Sequence, residues 1–179
     1  MTTPTDAHER ALSAAWRECS AWDGNITPAV LRKAIGAYLR EIGSDRQGIY
    51  IASKTKHAER WRILRHLGEP IISTWIDEAG AGESSDLADL WRRCIAEASA
   101  AQVLILYREP EDVLKGGWVE LGAALASGVP VFAVGIEEFT VSYDTRIRHF
   151  PDMGTALAAA RQQRAALASP VTTEREGGT

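Results

Sequence analysis

The stretch Lys115-Gly116-Gly117-Trp118-Val119-Glu120-Leu121-Gly122-Ala123-Ala124-Leu125 decides the fold. It lies between two apolar runs, residues 103–107 (VLILY) and 131–134 (VFAV), each of a length and composition suited to a buried strand. The two glycines close a polar loop, and the alanine- and leucine-rich run after them predicts a helix stopped by Gly128. One carboxylate, Glu120, is expected in the first turn of that helix, where free N–H groups and the helix dipole favour an anion. Strand, loop, helix and strand make a βαβ unit. In an open parallel sheet, ligands bind just past the carboxyl ends of the strands, which is where this loop lies.

Working outward, the alternation repeats on both sides. Gly48-Ile49-Tyr50-Ile51-Ala52 reads as a first strand, Ser53-Lys54-Thr55-Lys56 as a polar loop, and residues 56–67 as a helix closed by Gly68. Residues 70–76 (PIISTWI) predict a second strand with Asp77 at its carboxyl end, followed by a small polar loop over 78–85. Ser85 is placed to cap a helix whose buried stripe is Leu87, Leu90, Trp91, Cys94, Ile95 and Ala98. A third strand over 102–107, a fourth over 131–134, a short fifth over 146–150 and a helix over 155–167 complete the pattern. The expectation is an α/β fold over residues 46–168, a flavodoxin- or Rossmann-like parallel sheet of about five strands flanked by helices.

Residues 1–45 predict an N-terminal helical extension. One helix carries Leu12, Ala15, Trp16 and Cys19 at helical spacing. A second opens at Thr27-Pro28, closes at Gly43 and has Leu31, Ile35, Tyr38, Leu39 and Ile42 on its apolar face. Residues 169–179 are polar and glycine-rich, and a disordered tail is expected there.

Composition narrows the function. The chain has 179 residues, 45% hydrophobic and 25% charged, with a net charge of −4, which argues against general nucleic-acid binding. Its two cysteines, Cys19 and Cys94, are far apart and outside any CxxC pattern, as for reduced thiols in a cytoplasmic protein. No signal peptide and no run of membrane-spanning length are read, so no membrane partner is expected. His8, His57, His66 and His149 show no ligand spacing, so no metal is expected, and His57 and His66 have no evident partner. The loop after the first strand lacks GxGxxG and GxxxxGK[ST], and no cofactor is expected. Lys54 and Lys56 there are either solvated charges or contacts to a phosphate.

The residues also carry a resemblance. Ile49-Tyr50-Ile51-Ala52, then Val103-Leu-Ile-Leu-Tyr107 followed by Glu111-Asp112, and Gly117-Trp-Val-Glu120-Leu-Gly122 through Gly128-Val-Pro-Val131 are similar to the nucleoside 2-deoxyribosyltransferase family. That family includes the 2'-deoxynucleoside 5'-phosphate N-hydrolases. The resemblance spans about residues 49–135 and leaves the N-terminal helices outside it. It implies that Glu120 is the nucleophile forming a covalent deoxyribosyl intermediate, that Tyr50 orients its carboxylate, and that Asp112 assists at the nucleobase. It implies a small-molecule nucleoside or nucleotide as substrate, and a homodimer or higher homo-oligomer. The family's usual aspartate on the helix before the third strand aligns with Cys94, and the residue before that strand is Gln102. Asp77, Asp86 and Asp89 are the candidate replacements.

Cleavage of an N-glycosidic bond passes through an oxocarbenium-like state, which a carboxylate under the anomeric carbon stabilises or traps covalently. Glu120 suits that role. Protonating the departing base falls to Asp112 or Asp77, and either would need a raised pKa. Further expected contacts are Ser53, Lys54, Lys115 and Gly117 along the loops, Cys94 at the sugar, and Trp118 or Trp75 stacking on the base. A nucleotide-binding domain of the same fold that does not cleave its ligand is the alternative.

Overall fold

A computed structural model describes residues 47–79 and 86–168, together with Arg10, Ser13 and Arg17. The expected N-terminal helices, the loop 80–85 and the tail 169–179 lie outside the described residues, save those three positions, which are helical. In chain order the elements are β1 (Gln47–Ala52), α1 (Ala58–His66), the single turn α2 (Trp75–Glu78) and α3 (Leu87–Ala100). Then come β2 (Ala101–Tyr107), α4 (Gly116–Ala126), β3 (Val131–Val134), β4 (Ile147–His149) and α5 (Met153–Ala168). Two short 3-10 turns, Thr55–His57 and Thr140–Tyr143, precede α1 and β4.

The strands form one parallel sheet in the order β1-β2-β3-β4. Both faces of its centre are covered, and so β1, β2 and β3 are near-continuous apolar runs rather than alternating ones. Helices α3 and α4 lie side by side against β1 and β2, while α5 packs on β2 and β3. The core runs through Ile49, Ile51, Leu104, Leu106 and Phe132, all fully buried. This is a Rossmann-like α/β fold, with four strands among the described residues where about five were expected.

The missing strand is the segment over 70–76. It meets β1 through a single parallel bridge, Ile49 to Ile71. The Ile49 N–H donates to Pro70 O at 2.8 Å, and the Ile72 N–H donates to Ile49 O at 3.0 Å. At the next position a side chain takes over, with the Ile51 N–H donating to Ser73 Oγ at 2.6 Å. Thr74 is already in helical backbone conformation and α2 follows, so pairing stops after one bridge. The approach is close enough to demand glycine at position 48, where φ is +53° and a Cβ would fall 2.4 Å from Pro70 O.

Because the Ile71 segment lies on the outer side of β1 and β2 lies on the inner side, the chain leaves β1 in one direction and returns past it through α3. This is the sheet's topological switch point, and a crevice opens there between the loops after β1 and β2. No helix among the described residues is long and apolar enough to cross a membrane.

Candidate functional site

A cavity of about 470 Å³ occupies that crevice. The loop after β1 contributes Ser53, Lys54 and Thr55, and the approach to α4 contributes Lys115, Gly116 and Gly117, with Glu120 on the helix itself. The single turn α2 contributes Trp75 and Glu78, and α3 contributes Leu87, Leu90, Trp91 and Cys94. Helical spacing explains both sets. Trp75 and Glu78 are three residues apart, while Leu87, Trp91 and Cys94 follow at four and three, so each set shares one face.

Helix α4 starts earlier than the sequence suggests. Gly116 and Gly117 are its first two residues, which makes Glu120 its fifth and leaves no acid in the first turn. Gly117 suits a helix that begins hard against β2, since a Cβ there would sit 3.3 Å from Leu106 Cδ1; one at Gly116 would make only an ordinary contact with the Trp91 ring, at 3.5 Å. Gly116 and Glu120 are one turn apart, so the missing side chain leaves the Glu120 carboxyl facing open space.

Glu120 is 7% exposed, and Tyr50 of β1 is fully buried beside it. Burial pushes the Glu120 carboxyl up to about 7; the nearby Tyr50 hydroxyl and Cys94 thiol act against this, and the charge of Glu97 adds to it. The anion expected from the helix dipole is therefore disfavoured by burial, in part because Glu120 lies beyond the first turn, where the dipole acts. Burial also pushes the Cys94 thiol up to about 11, so it is a neutral thiol at physiological pH. The Tyr50 hydroxyl is driven far above its ordinary range by burial and then by the charge of Glu120. Both Glu120 and Cys94 stand close enough to influence it, yet the hydroxyl completes no hydrogen bond of normal geometry. Tyr50, Cys94 and Glu120 thus form a polar floor with one donor still unused.

The remaining sequence candidates lie elsewhere. Asp112 is 4% exposed but does not line the cavity. Its carboxylate accepts from His57 Nε2 at 2.7 Å, from Lys56 Nζ at 2.8 Å and from the Glu109 N–H at 3.0 Å. Burial opposes its charge, yet Lys56, His57 and the Glu109 N–H outweigh burial and hold it well below the usual carboxylate range. This is opposite to the raised pKa a proton donor requires, and it supplies the partner that His57 lacked in the sequence. His57, Glu109 and Asp112 bring three ligand atoms within 4.8 Å of one another, but the Lys56 ammonium already serves as their cation.

Asp77 points away from the cavity and pairs with Arg65. Trp118 packs on Phe139, ring centroids 4.8 Å apart, and does not line the cavity. Asp86 caps α3 by accepting from the Asp89 N–H at 2.9 Å, the role expected of Ser85. Asp89 is held below its ordinary range by Arg93, with Arg92 adding to the effect. Gln102 accepts from Arg164 of α5 at 2.5 Å. Sequence reasoning missed Glu78, which faces the cavity paired with Arg93, and Trp91, whose ring stands over Gly116.

Comparison with models of known protein families and with curated proteins finds no match. What this arrangement can do chemically therefore follows from the site itself. It holds one withdrawn carboxyl near neutral pKa, a phenol and a thiol at its floor, two lysines on its loops and two indoles on its walls.

Proposed function

We propose that this chain cleaves or exchanges the N-glycosidic bond of a nucleoside or nucleoside monophosphate, with Glu120 as nucleophile. The observation that supports this is the buried Glu120 carboxyl, flanked by Tyr50 and Cys94, on the floor of a cavity at the sheet's switch point. Its volume falls in the range that encloses ligands of nucleoside size. In the proposed step, a carboxylate oxygen of Glu120 bonds to the anomeric carbon as the bond to the base nitrogen breaks, and the electron pair leaves with the base. Glu78 is held by Arg93 and Asp112 lies outside the cavity, so water supplies the proton to the departing base. A second water, or an incoming base, then attacks the anomeric carbon and returns Glu120 to its carboxylate. Tyr50 orients the carboxyl, Trp91 and Trp75 wall the base, and Lys54 and Lys115 face the polar end of the substrate.

The test is incubation with a panel of deoxynucleosides, ribonucleosides and their monophosphates, with free base followed by chromatography. Base release is expected to rise with pH through about 7 as Glu120 ionises. Unchanged turnover in Glu120→Ala would sink this mechanism.

The neutral thiol of Cys94 favours a second reading, a domain that binds a nucleotide without cleaving it. A thiol holds a sugar hydroxyl more weakly than a carboxylate does. This reading predicts a nucleotide-dependent rise in melting temperature with no base released, and base release gained in Cys94→Asp.

A further inference from the structure

Glu78 stands on the cavity wall, and the glycosidic step gives it no part. The single turn α2 presents it on the same face as Trp75, three residues earlier. Its Oε1 accepts from Arg93 Nη2, and among the described residues no bond to Oε2 is formed. The side chain is 32% exposed, so a ligand can reach it.

The carboxyl is held from behind. Arg93 of α3 uses all three guanidinium nitrogens: Nε donates to Asp89 Oδ2 at 2.8 Å, Nη1 to Thr74 Oγ1 at 2.6 Å, and Nη2 to Glu78. Thr74 in turn donates to Glu97 of α3 from its N–H at 3.0 Å and from its hydroxyl at 2.6 Å. Both ends of α2 are therefore tied to α3. The Trp75 indole N–H donates to Ile51 O at 2.9 Å, which fixes the ring against β1. One guanidinium shared between two carboxylates leaves Glu78 with an open acceptor. That acceptor and the indole are set in place before any ligand arrives.

We propose that Glu78 selects the base, so that the cavity takes nucleosides whose base bears an exocyclic amino group over those with a carbonyl in its place. The proposal rests on the glycosidic reading of the same cavity, in which Trp75 and Trp91 wall the base and so bring it to the side of Glu78. A carboxylate only accepts, and it takes the N–H of an amino group. A carbonyl oxygen set against it is repelled and is left unpaired. The N3–H of uracil is no substitute, since a carbonyl flanks it on either side. The two indoles stack on any base and carry no such choice.

The test is equilibrium dialysis of the full chain carrying Glu120→Gln, which leaves the ligand uncut, against two matched pairs. These are deoxycytidine with deoxyuridine, and deoxyadenosine with deoxyinosine. The amino member of each pair is expected to bind about tenfold or more tighter. Adding Glu78→Gln, whose amide can also donate, should bring the ratio to one or below. Each ratio is read within one preparation, so partial misfolding of a variant does not imitate the result. Equal binding within both pairs, or a preference that survives Glu78→Gln, overturns the proposal. Base release by the wild type is followed separately. Release without a preference in binding overturns the assignment of Glu78 and leaves the glycosidic reading standing; a preference in binding without release does the reverse. Binding of none of the four overturns both.

Discussion

Asp112 and Glu120 are both carboxyls withdrawn from water beside the carboxyl end of β2, and their ionisation is shifted in opposite directions. Asp112 has a lysine, a histidine and a backbone N–H around it, and it stays charged against burial. Glu120 has a phenol and a thiol, and burial prevails. Exposure differs little between the two, at 4% and 7%. What separates them is the charge on their neighbours. The Asp112 cluster is satisfied and closed, suited to holding the 108–115 loop in place. The Glu120 cluster keeps an unspent hydroxyl and faces a cavity, which is the condition of a group that waits for a ligand.

The largest expected effect that sharpens this contrast is on chemistry. Glu120→Gln should lower base release by about 10⁴-fold with the fold intact, whereas a loss shared equally by Asp112→Asn would erase the distinction. Circular dichroism alongside chromatographic assay separates the two outcomes.

Stability against pH should then move in opposite senses. The Glu120 carboxyl has a raised pKa in the folded state, so its relative stabilisation is complete below about 4.5 and is lost as pH rises to about 7. The advantage of Glu120→Gln over the wild type should therefore grow across that window, to at most about 3 kcal/mol, and be level above it. Asp112 is depressed, so its contribution is present above the ordinary aspartate range and is lost as pH falls below it. Denaturant unfolding from pH 4 to 8 would show a flat difference for Glu120→Gln if burial does not govern its ionisation.

Removing the second carboxylate directly should cost less. Asp112→Asn is expected to destabilise by about 2 kcal/mol, below the usual figure for a broken buried pair because Lys56 is half in water. A change under about 0.5 kcal/mol in urea unfolding would mean the cluster does not organise its loop. The smallest effect is expected at Tyr50→Phe. Its hydroxyl has no completed hydrogen bond to lose, so stability should stay within about 1 kcal/mol while base release falls by about tenfold. A large drop in melting temperature there would show that the hydroxyl is already bonded within the fold.

Much of this was legible in the sequence, and the exceptions have physical causes. Strand, loop and helix periodicity placed Ser53, Lys54, Lys115 and Glu120 around one crevice because helix and strand ends are local properties, while Cys94 was brought there only by the resemblance to the deoxyribosyltransferases. Side-chain direction was the weak point. Trp118 stands two residues before Glu120, hence on the opposite side of α4, and packs on Phe139 instead of facing the cavity. The same rule separates Asp77 from Glu78 on α2, with the first turned to Arg65 and the second to the cavity. The His57–Asp112 contact joins residues 55 apart through tertiary folding, and no local pattern announces it. The second strand was overcounted because PIISTWI has strand composition, while Ser73 and α2 end its pairing after one bridge.

That truncated pairing has a consequence for how the protein behaves in a crowd. A strand at the border of a sheet normally offers a row of open N–H and C=O groups that another chain can join. Here Pro70 O and Ser73 Oγ accept from the outward N–H groups of Ile49 and Ile51, and the Trp75 indole N–H donates to Ile51 O at 2.9 Å. The border of β1 is sealed by a hydroxyl and an indole, two groups that no further strand can extend, so the sheet has no template there for fibre growth.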